Sequence, residues 1–313
     1  MGAKSLGSRA IIGEFYLKLE QNLGATWVPQ VSMKFDSDQE SETYPWLGQS
    51  PVMREWIGGR QAKGFRDNGI TIANKTYEST MRVPLAWLRR DKTGQIMVRI
   101  AEQTERANAH WAKLLNQLII DGEATACYDG QYFFDTDHSE GDSGTQDNDI
   151  AVDISTTTAP TAGEMETAIL KAIQQIIGFK DDQGEPMNEN AQKFLVMVPV
   201  PFMSAAAAAL GSSIIIDSST SRSNTILTLS SMAGFTVALA VTPRLTWTTK
   251  FAVFRADGQL AAFIRQEEED ITVDAIAEGT EHEFKEDEHL YGIKAIRNVG
   301  YGYWQKSCLV TFT

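Results

Sequence analysis

The longest amphipathic pattern in the chain runs through residues 91–121 and is followed by Gly122. Its apolar residues recur at steps of three and four, and they are Met97, Ile100, Ala101, Ala107, Trp111, Leu114, Leu115, Leu118 and Ile119. This spacing places them on one side of an α-helix. Asp91 or Thr93 is a candidate N-cap, and Gly122 suits a left-handed position that ends a helix. The pattern predicts one long helix over Thr93–Asp121, which would span roughly 45 Å.

Shorter patterns predict further helices and strands around this one. Helical spacing occurs at 9–22, at 165–177 after Thr161 to Glu164, and at 204–210 before Gly211. Strand-like stretches occur at 70–72, 75–81, 194–200, 235–241, 245–249, 251–255, 260–264, 271–273 and 290–313. The mixed order, without regular βαβ alternation, predicts an α+β fold. We expect the apolar stripe of the long helix to be buried against the C-terminal strands, including Val299 and Trp304.

Composition excludes several classes of protein. The chain is 42% hydrophobic and has no apolar run near eighteen residues, which argues against a membrane-spanning helix. The first residues lack the apolar centre of a secretion signal, and Cys127 and Cys308 are the only cysteines. A disulfide framework is therefore not expected, and a reducing cytoplasm fits. A net charge of −13 argues against nucleic-acid binding as the main function.

The charges are unevenly distributed along the chain. Residues 54–92 hold nine Lys or Arg against four acids, whereas 121–150 hold nine acids and no Lys or Arg. Residues 267–288 hold eleven acids and only Lys285. Patches of opposite sign on one chain can direct self-association. The stretch 45–90 also carries Trp46, Trp56 and Trp87, an aromatic load that predicts packing against another part of the chain or another subunit.

Candidate chemistry is sparse. Asp135, Asp137 and His138 suggest a metal site, but the spacing fails the EF-hand pattern, and zinc would need more His or Cys than His138 and Cys127. No G-x-S-x-G, P-loop or H-E-x-x-H motif occurs. We expect a solvated or interface loop at 135–142 and a solvated turn at 267–270. A metal-dependent enzyme that uses Asp135, Asp137 and His138 remains an alternative; otherwise no catalysis and no cofactor are expected.

Five stretches in order along the chain resemble the major head subunit (the T protein) of Mu-like phages. They are 44–49 (YPWLGQ), 53–58 (MREWIG), 77–80 (YEST), 128–138 (YDGQYFFDTDH) and 297–305 (RNVGYGYWQ). The residues that carry the resemblance are Trp46, Gly48, Tyr128, Asp129, Gly130, Asp137, His138, Asn298, Gly300 and Trp304. Each stretch alone is weak, whereas together they are specific.

The resemblance implies the Hong Kong 97-type fold of tailed-phage major capsid proteins. Its parts would be an N-terminal arm at 1–44, an extended β-hairpin loop with flanking strands at 45–90, and an axial domain at 160–280. The peripheral domain would comprise 91–159 and 281–313, with the long helix as its spine.

The resemblance also implies a structural shell protein of a phage or prophage. Hexamers and pentamers would close into an icosahedral head around double-stranded DNA, without sequence-specific binding. Portal, scaffolding and possible decoration proteins would be partners; the protein would reside in the virion after assembly in the bacterial cytoplasm, with no membrane association. An encapsulin-like nanocompartment shell remains an alternative.

Within such a shell, a basic loop would contact acidic patches of a neighbouring subunit. The predicted loop residues are Arg54, Glu55, Trp56, Arg60, Lys63 and Arg66. The predicted acidic partners are Asp135, Asp137, Asp142, Glu267, Glu268 and Glu269.

Overall fold

The computed structural model describes residues 7–21, 24–44, 69–90, 94–217 and 220–313. The helices of this part are α1 (Ser8–Gln21), α2 (Val28–Val31), α3 (Leu85–Arg90), α4 (Gln95–Asn108), α5 (His110–Ile120), α6 (Ala162–Gly178), α7 (Met203–Gly211), α8 (Thr225–Ala233) and α9 (Glu281–Glu286). The strands are β1 (Ser32–Asp36), β2 (Ser41–Tyr44), β3 (Ile70–Ala73), β4 (Lys75–Pro84), β5 (Asp149–Val152), β6 (Lys193–Val198), β7 (Ile214–Asp217), β8 (Thr220–Ser223), β9 (Thr236–Val241), β10 (Lys250–Arg255), β11 (Phe263–Ile276), β12 (Glu288–Tyr301) and β13 (Ser307–Phe312). The predicted α+β class is confirmed.

Two larger sheets organise these strands. The first has the order β1-β11-β12-β4, in which the long strands β11 and β12 form an antiparallel pair and β1 runs parallel to β11. The second has the order β5-β13-β10-β6-β9 and mixes parallel with antiparallel pairs. The C-terminal strands are therefore divided: β12 belongs to the first sheet and β13 to the second. The division into peripheral and axial domains stays a prediction.

The small hairpin of β2 and β3 lies at the two ends of residues 45–69, a segment that we call the excursion. Tyr44 pairs with Ile70, so the chain leaves the hairpin after Tyr44 and returns to the same place. β3 does not pair with β4, although the two strands are separated only by Asn74; β4 pairs with β12. The predicted extended loop therefore begins and ends at a base made by β2 and β3, and its β4 segment belongs to the first sheet.

The described residues form two hydrophobic cores. The larger one surrounds the second sheet and includes α6, whose Met165, Ala168 and Ile169 are fully buried. The smaller one lies between the first sheet, α1 and α4, and is centred on residues such as Phe15 and Tyr291. The predicted N-terminal arm is thus partly folded onto its own subunit through α1.

The predicted single spine helix is wrong in one respect. A break at Ala109, where ψ is −1°, separates α4 from α5. The hydrogen bonds continue across it, since the N–H of Ala109 donates to Glu105 and the N–H of Lys113 donates to Ala109. The reason for the break lies in packing, because α4 contributes Ile100 to the smaller core and α5 contributes Leu115 to the larger one.

Gly122 does not cap the helix in a left-handed conformation, contrary to the sequence prediction. It lies in a 3₁₀ turn, Asp121–Glu123, that follows α5 directly. A Cβ atom at this position would lie 2.6 Å from Cδ2 of Phe134. Glycine is therefore needed for close packing against the 124–148 segment, not for a positive φ. The predicted N-caps Asp91 and Thr93 lie outside the described residues; Gly94, with φ of +70°, precedes α4.

Several other predictions are confirmed or corrected. α1 and α7 match within one or two residues, and α6 begins with a capping box between Thr161 and Glu164. The predicted strand at 245–249 is irregular, although Leu245 is buried. Of the predicted stretch 260–264 only Phe263 and Ile264 are strand, and they belong to the same strand as 271–273, β11. The expected solvated turn at 267–270 lies inside that strand, at a pair of register irregularities.

Candidate assembly surfaces and the buried clusters behind them

The loop after α5 is held by a buried stack. His138 is fully buried, and its ring lies parallel to that of Trp304, which directly precedes β13 along the chain. Nδ1 of His138 lies 2.6 Å from a carboxylate oxygen of Asp129, and Nε2 lies 3.2 Å from Oδ1 of Asn148. The same Oδ1 accepts the N–H of Asp135, which fixes the orientation of the amide. Both ring nitrogens therefore lie beside side-chain oxygens, which fix the ring between Asp129 and Asn148.

Cys127 completes this cluster. Its thiol donates to Asp129 at 2.9 Å, and Cys127, Asp129 and His138 present ligand atoms within 4.8 Å of one another. Burial alone would raise the pKa of Asp129, but hydrogen bonds from His138 and Cys127 outweigh it and lower that pKa. Burial, with Asp129 beside it, raises the pKa of the Cys127 thiol. Metal binding needs the thiolate, so this trio is better suited to an internal hydrogen-bond network than to a zinc site.

Asp135, Asp137 and His138, which a metal-dependent enzyme would use, do not converge on one site. Asp137 is exposed, and Asp135 accepts the backbone N–H groups of Tyr132 and Thr136. His138 turns inward to Asp129 instead. Within the described part of the chain, the cluster with metal-ligand spacing is the buried trio that contains Cys127. The expectation of a solvated loop is also wrong for His138, because the stack on Trp304 removes it from water.

Other motif residues support the same segment. The hydroxyl of Tyr128 and the side-chain amide of Gln305 are hydrogen-bonded at 2.9 Å, which links the loop to the C-terminal region. Gly130 has a φ of +90°, so it supplies a turn that side chains rarely allow. Residues 128–138 therefore form a tightly folded loop, whose parts contact one another and the residues around Trp304.

A second group of motif residues holds the base of the excursion. The side chain of Asn298 donates to the carbonyl of Ala73 at 2.7 Å, and a Cβ at Gly300 would collide with Ile72. Gln266 is fully buried between the first sheet and the hairpin. Its Nε2 donates to the carbonyl of Ile72 at 3.0 Å, and its Oε1 accepts from the hydroxyl of Tyr44 at 2.8 Å. Gln266 could not be predicted from the sequence, because nothing local distinguishes a buried glutamine.

The predicted basic contact residues lie outside the described residues, and so do two motif positions. These residues are Arg54, Glu55, Trp56, Arg60, Lys63 and Arg66, together with Trp46 and Gly48. Their role in subunit contacts stays a prediction. The spacing of Tyr44 and Ile70 places the ends of their segment at the hairpin that Asn298 and Gln266 hold.

The predicted acidic patches differ in accessibility. Asp137, Asp142 and Glu268 are exposed, whereas Asp135 and Glu269 are half-buried. Glu267 is only 6% exposed and forms an ion pair with Lys34, so its prediction as a surface acid is wrong. This pairing, led by the hydrogen bond with Glu267, raises the pKa of Lys34. The strand conformation at 267–270 turns Glu267 inward, which a run of four acids does not reveal.

Exposed large apolar side chains are spread over the described surface, and two sets of them lie beside the two sheets. Trp87 on α3 is 63% exposed and Phe284 on α9 is 91% exposed; the N–H of Leu85 donates to Asp287, which puts the two helices at one end of the first sheet. A second group lies beside the second sheet, on β7 and after β8: Ile214, Ile216 and Met232. Phe284 was missed because it is a lone apolar residue in an acidic segment.

Lys306 is a further buried charge that the sequence did not reveal. It is 3% exposed, and its Nζ donates to Oδ1 of Asn188 at 2.7 Å. The same oxygen accepts from the guanidinium of Arg255 at 3.0 Å. Burial, and next the charge of Arg255, lower the pKa of Lys306 to about 7. The amide of Asn188 donates to the carbonyls of Ile176 and Gln305, so this cluster ties α6 to the segment before β13.

Comparisons with known proteins agree with one another. A family described as "Mu-like prophage major head subunit gpT" matches residues 14–163 and 245–311. The Mu-like prophage FluMu major head subunit of Haemophilus influenzae is 36% identical over 112 residues, which cover 36% of each chain. The major capsid protein of Escherichia phage Mu is 35% identical over 109 residues, covering 35% of this chain and 36% of that one. The matched part is thus about a third of these relatives' length.

Solved structures show the same fold at low sequence identity. The procapsid of bacteriophage JBD30 gives a TM-score of 0.55 at 23% identity, covering 99% of this chain and 76% of that chain. The mature capsid of bacteriophage PhiM1 gives 0.57 at 9% identity, covering 93% and 88%. A virus-like particle from Pyrococcus furiosus gives 0.53 at 8% identity, covering 96% and 98%. In the described ranges, no helix is long and apolar enough to cross a membrane.

Proposed function

Because the chain belongs to the family of Mu-like prophage major head subunits, we propose that it is the repeating subunit of a phage head. Many copies form hexamers and pentamers, and these close into an icosahedral shell around double-stranded DNA. The role is structural, not catalytic, and the protein resides in the virion after assembly in the bacterial cytoplasm. A portal and a scaffolding protein are its expected partners, with decoration proteins as a further possibility. Contact with DNA does not depend on base sequence.

One structural observation supports this function most directly. Trp87 and Phe284 project from one end of the first sheet, and Ile214, Ile216 and Met232 project beside the second sheet. Large apolar side chains that are left exposed in groups mark protein–protein interfaces. Two separate groups suit a subunit that contacts more than one neighbour, as each subunit of a closed shell does.

The excursion from the β2–β3 hairpin supplies a further contact. We expect Arg54, Trp56, Arg60 and Lys63 to lie over a neighbouring subunit. Trp56 would bury apolar area in the contact, and the three cations would set how the two subunits align. Exposed acids such as Asp142 are available as partners. Solvent-exposed pairs contribute little to affinity, so only those that assembly desolvates matter.

A negative-stain micrograph of the purified protein tests the proposal. Uniform shells support it, and a discrete small particle under all assembly conditions rejects it. Phe284→Ser is the matching variant: we expect fewer shells but an unchanged unfolding midpoint for the free subunit, because a side chain 91% exposed contributes little to folding. Trp56→Ala tests the loop; assembly with unchanged yield and particle stability would exclude it as a main contact.

Two alternatives give different results in the same preparation. A nanocompartment shell, which the fold of the virus-like particle from Pyrococcus furiosus also permits, would enclose protein cargo in place of DNA. Nuclease-resistant DNA in shells isolated from lysed bacteria separates the two. A metal-dependent enzyme would bind metal in a fixed ratio by elemental analysis and would remain a small particle.

A further inference from the structure

A pocket of about 190 Å³ opens where α4 meets α5, opposite strands β4 and β12. Tyr77 from β4 and Arg297 from β12 line one side, and Arg106, His110 and Lys113 line the other. We call it the basic pocket. It lies beside the break at Ala109, with Ala107 and His110 on either side of that residue in its lining.

Three of the side chains that line the basic pocket are cations. They are Arg106, Lys113 and Arg297; Glu78 is the one carboxylate in the lining, and Arg106 also pairs with Glu102 on α4 at 2.6 Å. Glu78 is engaged on its own strand, where it accepts a hydrogen bond from Thr80 at 2.8 Å. The chain as a whole carries 41 acids against 28 Lys and Arg. On a chain with this net negative charge, Lys113 and Arg297 favour an acidic partner.

Arg297 is the buried part of the pocket. It is 1% exposed, and its guanidinium lies over the ring of Trp111, 4.7 Å from the centroid. Its Nε and Nη2 have no hydrogen-bond partner in the described residues. The nearest carboxylates, those of Glu267 and Asp270, are 3.9 and 3.8 Å from Nη2, beyond hydrogen-bond distance. Buried donors that lack an acceptor are costly, so a ligand that accepts from them is favoured.

The pKa of His110 reflects both its burial and the positive charges around the pocket. Its ring contacts that of Tyr77 edge to face, with centroids 4.4 Å apart. Burial, followed by the charges of Arg297, Lys113 and Arg244, lowers the pKa of His110 to about 4. At neutral pH the ring is therefore uncharged and can donate or accept a hydrogen bond at the pocket wall.

We propose that the basic pocket receives an aspartate or glutamate side chain from a second copy of the chain when subunits assemble. A carboxylate is small enough for this volume, and its two oxygens match the donors of a guanidinium and an ammonium group. A second copy is the partner with the best charge complementarity, since it carries acidic stretches such as 137–142. A nucleic acid is disfavoured, because three cations in a small pocket form no continuous basic track.

Zero-length cross-linking with a carbodiimide tests this pairing, which rests on the proposed shell function. The reagent joins a lysine amine to a carboxylate that is in direct contact. Shells are assembled from equal amounts of ¹⁴N- and ¹⁵N-labelled subunits and then digested for mass spectrometry. We expect Lys113 in cross-linked peptide pairs of mixed label, and Lys113→Gln removes them. Same-label pairs alone, including one between Lys113 and Glu78, would mean an intrachain contact and would overturn the proposal.

A matched pair of variants gives a second reading. Lys113→Gln should raise the critical subunit concentration for assembly about tenfold, as the loss of a partly desolvated charge pair predicts. Lys171→Gln, which removes an exposed charge on α6, should leave that concentration unchanged. Equal effects of both changes would show a general response to charge and reject the pocket.

If the unaltered protein forms no shells, the shell function fails; if it forms shells without mixed-label links at Lys113, only the pocket proposal fails.

Discussion

The rings of His138 and Trp304 stack with centroids 4.0 Å apart and planes 7° apart, although the residues are 166 positions distant in sequence. The stack joins the loop after α5 to the chain just before β13. A carboxylate oxygen of Asp129 lies 2.6 Å from Nδ1 of His138. The motif 128–138 looks acidic and solvated in sequence, but its residue His138 is buried and holds the loop to Trp304. Its contacts therefore stabilise the fold of the subunit.

The first prediction concerns this buried pair. His138→Phe retains an aromatic ring on Trp304 but removes the imidazole that lies against the carboxylate of Asp129, whose side chain is 3% exposed. We expect a loss of about 3–5 kcal/mol in the free energy of unfolding, the usual cost of breaking a buried pair. Urea denaturation of the unassembled subunit measures it. Combining His138→Phe with Asp129→Asn should cost clearly less than the two single losses together; strict additivity would show that the pair is not coupled.

A second prediction concerns Gly122. A Cβ there would meet Cδ2 of Phe134 at 2.6 Å and Cε2 at 2.9 Å, and the Phe134 ring is itself buried. Gly122→Ala should therefore lower the free energy of unfolding by about 1–3 kcal/mol. Gly178→Ala is the control, because no atom lies within 4 Å and the glycine ends α6. It should be neutral or stabilise slightly, by about 0.5 kcal/mol. Equal effects at both positions would contradict the packing argument.

The third prediction is a pH dependence at Lys306, whose pKa is lowered from 10.5 to about 7 in the folded protein. Between these values the unfolded chain binds a proton that the folded chain does not, so this group favours folding more as pH rises. Below pH 7 Lys306 is charged in both the folded and the unfolded protein, so the full cost of burying its charge lowers the free energy of unfolding. Lys306→Met should therefore gain stability relative to the wild type at pH 6.5, and the gain should shrink by about 2–4 kcal/mol at pH 9.5.

Chemical denaturation of both proteins at the two pH values measures this change. The variant retains a donor for Asn188 Oδ1, because Arg255 still reaches it at 3.0 Å. A stability difference that is the same at both pH values would show that Lys306 keeps its charge in the folded protein.

The fourth prediction concerns the base of the excursion. Gln266→Leu removes the donor to the carbonyl of Ile72 and the acceptor for Tyr44. We expect amide exchange in β3 to accelerate at least tenfold, about 1.4 kcal/mol of local opening free energy. Hydrogen exchange with mass spectrometry measures it. Gln117→Leu on the exposed face of α5 is the control and should leave β3 unchanged. Protection of β3 that survives Gln266→Leu would assign the anchoring to Asn298 alone.

Local signals in the chain were sufficient for some features. The capping box at Thr161 and the apolar spacing after it predict α6 correctly, because both are formed by residues within a few turns of one helix. The five motif stretches indicated the family and the fold class before any contact was known. Candidate chemistry was less accessible: His138 was noticed, but its partners Asp129 and Trp304 were not connected to it.

Hydrophobic periodicity and turn signals by themselves predicted most of the elements and the α+β class, and the five motif stretches carried the family resemblance, since each depends on residues that are near in sequence. Only the tertiary structure decided which partner each element takes. It divides the spine at Ala109 between two cores, pairs β3 with β2, and makes Gly122 a packing glycine. It also buries Glu267 and Lys306, and it aims Arg297 into a pocket. The physical reason is that burial and ion pairing are set by contacts between residues that are distant along the chain, and no local pattern encodes those contacts.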